Sequence, residues 1–146
     1  MSNASSDFQL HARAPFHLWL VGLALVLWNF SGAAISVAMQ TKRVPLDPMA
    51  TAYLEAQPLW LALIADIAPL AGVAGAICLL VQSRHAARLF SVQLAVIVLA
   101  NVYDLLAGTS LFFYSRPSIV VSVVLAALVG LEIAYARWLE RCGVLY

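Results

Sequence analysis

Charge is what this sequence has least of. Only 8 of its 146 residues are Lys or Arg and 7 are Asp or Glu, 10% in all, against about 25% in a soluble domain. So few charges cannot cover the surface of a soluble domain. The net charge of +1 gives no electrostatic case for nucleic acid. Cysteine is nearly absent too. Cys78 and Cys142 are predicted at different depths, so no disulfide joins them. There is no Cys-x-x-Cys for thiol redox chemistry and no Gly-x-Ser-x-Gly. His11, His17 and His85 all fall near the ends of apolar runs, which argues against a haem held by two mid-depth histidines and leaves no metal site. No catalytic constellation survives these absences. The expectation is a non-enzyme without a cofactor.

What is present is apolar sequence, 64% of the chain, in runs of about the 20 residues that cross a bilayer. Four spans are predicted, at about 16–39, 59–81, 89–107 and 117–138, forming an all-α integral membrane four-helix bundle. Residues 1–15 read as a polar, Ser-rich N-terminal tail and 139–146 as a short C-terminal tail. A removable leader is the competing reading of the first span, since Ser36-Val37-Ala38 has the small-residue pattern of a cleavage site. That apolar region is too long for a leader, however, and three more spans follow.

The stretch Leu59 to Val81 holds one carboxylate, Asp66, well inside an apolar span. A charge near the bilayer centre costs at least ~2.5–3.5 kcal/mol, so it should face other helices or water. Pro69, one turn on, lacks an N–H and frees the carbonyl of Ala65. Ala62, Asp66, Pro69, Val73 and Ala76 share a face. Asp66 is then either a titrating site or a protonated group hydrogen-bonded to a neighbouring helix.

The other spans carry polar stripes as well. In the first, Gly22, Asn29, Ala33, Ser36 and Gln40 fall on one face, the side expected to pack on other helices. Asp47-Pro48 signals a short helix to about Ala56, with Met49 and Tyr53 on its apolar side, lying at the membrane surface. Gln82 to Arg88 reads as a basic turn holding Arg84, His85 and Arg88. Gln93, Ile97, Asn101, Asp104 and Gly108 share a face of the third span. Phe112-Phe113-Tyr114 fits an interface belt. At ~1.5 Å per residue, Asn29, Asp66, Asn101 and Asp104 all fall in the outer half of the bilayer. They are predicted to form one polar cluster opening outward.

The fourth span carries Ser122, Ala126, Gly130 and Ala134 at a spacing of four, a small-xxx-small ladder for close helix packing, either inside the bundle or on a partner. Glu132 projects from nearly the opposite face. It is expected to pair with Arg84 or Arg88, or to snorkel to water. Arg13, Arg84, Arg88, Arg137 and Arg141 lie on one side and Lys42, Arg43 and Arg116 on the other. That excess puts both termini in the cytoplasm.

The run Leu27-Trp28-Asn29-Phe30-Ser31-Gly32, with Tyr53, Pro58-Leu59-Trp60, the Gly72 and Gly75 pair, and Leu89-Phe90-Ser91, resembles a family of small bacterial four-span membrane proteins often labelled sugar transporters. The resemblance covers roughly Leu25 to Ala107 and implies four helices in the bacterial inner membrane. Relatives carry an Asp-Tyr pair where this chain has Ile35-Ser36. Small multidrug exporters also have four spans but rely on a glutamate in the first, which this chain lacks. Tyr103-Asp104 resembles the first half of the intramembrane aspartyl protease signature; the Gly-x-Gly-Asp half is missing, since Ile64-Ala65 precede Asp66. Two functions are expected. The preferred one is a non-catalytic accessory, assembly or scaffold subunit of a larger membrane complex. The alternative is a small-solute or proton-coupled transporter acting as a homo-oligomer through the cluster around Asp66. The partners are then the bilayer and other membrane subunits or a second copy.

Overall fold

The computed structural model describes residues 16–41, 43, 45, 48–107 and 116–146. The N-terminal tail, Lys42, Asp47 and the aromatic run Phe112-Phe113-Tyr114 lie outside the described residues, as do the side chains of Met49, Tyr53 and Arg116. The helices are α1 Phe16–Gln40, α2 Pro48–Ala56, α3 Leu59–Leu80, α4 His85–Leu106 and α5 Arg116–Arg141. Four of them are long and apolar enough to cross a membrane. Their outward surface is apolar at every depth: Leu27 is 62% exposed, Leu70 60% and Val123 63%. An envelope of this kind is stable against lipid and unstable against water.

Packing follows glycine. Along α1 and α3 the contacts run antiparallel. A Cβ on Gly22 would overlap Leu80, one on Gly72 would overlap Asn29, and one on Gly32 would sit 4.0 Å from Pro69. The buried residues of α1 include Gly22 and Asn29, on the face the sequence marks for packing. The same device seats α4, because a Cβ on Gly75 would lie 2.8 Å from the Phe90 ring. Further along that seam Trp60 and Tyr103 meet edge to face at 5.1 Å. α4 packs in turn on α5. α1 and α5 meet mainly through side chains, with His17 about 6 Å from the rings of Tyr135 and Trp138. In lipid such contacts gain dispersion rather than hydrophobic free energy, which is why close backbone approach at small residues matters.

Two boundaries differ from the sequence expectation. The basic stretch is not a seven-residue turn: only Val81–Arg84 turns, and α4 begins at His85. Exposed Arg84, His85 and Arg88 suit a first helical turn that projects beyond the apolar slab. Likewise α5 continues to Arg141. The residues after it are a packed element rather than a tail. Val144 and Leu145 are buried in a cluster with Leu18, Leu79, Phe90, Ala136 and Leu139. The Tyr146 N–H donates to the Gln82 carbonyl at 2.9 Å, and the Arg84 N–H donates to the Tyr146 carbonyl at 3.2 Å. Gln82 (φ 60°) and Gly143 (φ 71°) both adopt left-handed backbone to make this closure.

Candidate functional site

The polar residues fall into two groups rather than one. Asp66 lies toward the α1–α2 and α4–α5 connections. The Ser36 hydroxyl donates to its Oδ1 at 2.7 Å, and Gln40 Nε2 donates to both oxygens at 2.7 and 2.8 Å. These bonds fasten α3 to the polar stripe of α1 and satisfy the carboxyl group. Asn101 donates to the Ile97 carbonyl of its own helix at 2.7 Å. Asp104 is buried. No hydrogen bond among the described residues joins Asn29, Asp66 and Asn101 into the predicted cluster. The cause is geometric. Asn29 is level with Gly72, and six residues of α3 separate Gly72 from Asp66, about 9 Å at the helical rise.

Asn29 belongs to a second, deeper group. Its Oδ1 accepts from Gln93 Nε2 of α4 at 2.8 Å, and its side chain lies beside the Glu132 carboxyl group of α5. Its Nδ2 donates to the Leu25 carbonyl at 3.0 Å. Asn29, Gln93 and Glu132 are 3%, 5% and 6% exposed. Gly72 of α3 completes the group by absence: a Cβ there would displace the Asn29 carboxamide and come within 2.8 Å of Gln93 Nε2. All four spans thus meet at one buried polar centre.

That centre is under-satisfied. Gln93 Oε1, Glu132 Oε2 and the Tyr135 hydroxyl are buried without a hydrogen-bond partner among the described residues. An unpaired buried polar atom costs about 1–3 kcal/mol, and three of them, on the facing helices α4 and α5, point to function rather than accident. Glu132 and Tyr135 also line a cavity of about 440 Å³ between α1 and α5. Its other walls are Val21, Leu25, Trp28, Leu128 and Leu131. Trp28 and Leu131 are exposed at its lateral mouth.

The sequence expectation pairs Glu132 with Arg84 or Arg88 or lets it snorkel to water; it is buried beside Asn29 instead. The buried face of α5 is Val129, Glu132, Ala136 and Leu139, not the small-residue ladder. Ser122 and Ala126 are half-buried and Ala134 is exposed, and nothing lies within 4 Å of a Cβ on Gly130. Internal packing therefore does not account for the ladder at Gly130. Gln93 lies on the polar face of α4 that the sequence marks, and its partner across the bundle is Asn29. The usable signal was Glu132, the one charge in residues 117–136 of α5, which lipid forces inward. Among the described residues no group of three or more His, Cys, Asp or Glu could hold a metal ion. Compared with protein-family models, curated proteins and solved structures, the chain matches none.

Proposed function

We propose that this protein is a proton-coupled carrier of a small, partly apolar solute, with Glu132 as the carboxyl group that exchanges protons. The observation carrying this reading is a 94%-buried glutamate with one oxygen unpartnered, lining an apolar pocket between two membrane-length helices. An ionisable group held inside a span is a candidate proton or solute site. Asn29 lies beside the carboxyl group, and Oε2 is left for a proton or a ligand. Trp28 and Tyr135 offer aromatic faces beside it, so the fitting solute carries an amine or other donor on an apolar body. The volume of about 440 Å³ lies within the range of small-molecule pockets. Four helices enclose little space of their own. A second copy closing the α1/α5 mouth makes the carrier a homo-oligomer, non-catalytic and without a cofactor. The excess of arginine at the end carrying both termini orients that end to the cytoplasm, and the four-span resemblance favours the bacterial inner membrane.

The accessory-subunit reading draws support from one observation, the open space over Gly130, where a partner helix could approach. Proteoliposomes loaded with a pH-sensitive dye separate the two. A panel of small apolar amines should drive proton movement that Glu132→Gln abolishes. Absence of any coupled flux, together with stoichiometric co-purification of a larger membrane protein, would establish the accessory role instead.

A further inference from the structure

Two cavities on the α4 side of α5, away from the α1 side that holds Glu132's pocket, share Ser91 and Arg137 and so adjoin. The first, about 210 Å³, lies at the end carrying the C-terminal segment and is walled by Arg84, Arg88 and Arg137, with Ser91 and Glu140. The second, about 790 Å³, runs along the α4/α5 seam and shares Ser91 and Arg137 with the first. Beyond that junction it is lined by apolar groups, among them Leu94, Val98, Val102, Gly130 and Ile133. Three arginines and one glutamate line the basic cleft. Among the described residues no side-chain hydrogen bond or ion pair occupies Arg84, Arg88 or Arg137. From Ser91 to Val102 the groove extends eleven residues, about 16 Å at the helical rise. One leaflet's share of the hydrocarbon core is about 15 Å. Gly130 keeps the floor open, with nothing within 4 Å of where a Cβ would stand.

We infer that this composite site binds one anionic phospholipid from the leaflet at the terminal end. Its phosphodiester sits among Arg84, Arg88 and Arg137, and one acyl chain lies along the α4/α5 groove past Gly130. The charge excess selects an anionic headgroup over a zwitterionic one, since Glu140 offsets only one of the three cations. The length match and the missing side chain at Gly130 select an acyl chain over a soluble anion. Basic pockets between membrane helices recognise lipid headgroups on this principle.

The test is native mass spectrometry of the delipidated full chain, titrated with phosphatidylglycerol, phosphatidylcholine and soluble glycerol phosphate. The expected result is one tightly retained phosphatidylglycerol per chain, with phosphatidylcholine and glycerol phosphate each at least about tenfold weaker. Replacing Arg84, Arg88 and Arg137 together by Gln should weaken phosphatidylglycerol about hundredfold, roughly fivefold per charge. Gly130→Leu tests the groove without touching the cations, and should weaken the lipid while elution as a folded species is unchanged. Equal retention of the two lipids would overturn the proposal, as would glycerol phosphate binding as well as the lipid. So would a membrane protein that occupies the groove and is released by Gly130→Leu.

Discussion

Asp66 and Glu132 are both carboxyl groups inside apolar helices, yet their surroundings are opposites. Asp66 is half-buried and accepts three hydrogen bonds from Ser36 and Gln40. Glu132 is almost wholly buried, lies beside Asn29 and leaves Oε2 unpartnered. The first group is a fastening between two helices, complete as it stands. The second is incomplete, borders a chamber and sits where all four spans meet. A charge in a membrane helix is therefore not a site merely because it is there; the state of its remaining lone pairs separates structure from chemistry.

The contrast is broken or sharpened most strongly by exchanging each acid for its amide. Glu132→Gln should reduce proton-coupled flux in proteoliposomes to background, while Asp66→Asn keeps most of it. Flux lost in Asp66→Asn and retained in Glu132→Gln would reverse the assignment. The next effect is steric. Gly72→Ala pushes a methyl group into the Asn29–Gln93 pair and should cost about 1–3 kcal/mol, as overpacking does. Gly130→Ala meets open space and should be near neutral. Thermal unfolding in detergent compares them.

A smaller change is expected from Asp66→Ala, which removes an interhelical tie worth about 0.6–1.7 kcal/mol in membrane proteins. A double-mutant cycle with Gln40→Ala should recover most of that as coupling, whereas a cycle between Asp66→Ala and Asn29→Ala should show little, because the two groups share no bond. The smallest effect is at the terminal end. Gln82 holds left-handed backbone, so Gln82→Gly should raise stability by about 0.5 kcal/mol, the relieved strain less the added chain entropy. Unfolding midpoints should rise slightly without any change in flux.

Much of the fold was legible because lipid imposes simple rules. Long runs without charge mark the spans, and the stripe Gly22, Asn29, Ser36, Gln40 identifies the side of α1 that packs. The site was only half legible. Asn29 and Asp66 were visible as polar residues in apolar runs, but their partners were not. Pairing depends on the register between helices, and a shift of six residues moves a contact by about 9 Å. On α5 the small-residue ladder suggested one packing face, while Glu132, the carboxylate deep in the span, required another, and the cost of exposing a charge to lipid outweighs the gain from close packing of small side chains.

By itself, then, the sequence determined the four apolar helices, their approximate ends and their membrane setting, because hydrocarbon tolerates little but self-satisfied helices. Tertiary structure alone decided that Asp66 is tied to Ser36 and Gln40, that Asn29, Gln93 and Glu132 converge over Gly72, and that Val144 and Leu145 return to close the terminal end. Each of these contacts joins residues from different helices or from the end of the chain, and only the register and rotation of packed helices bring them within reach of one another.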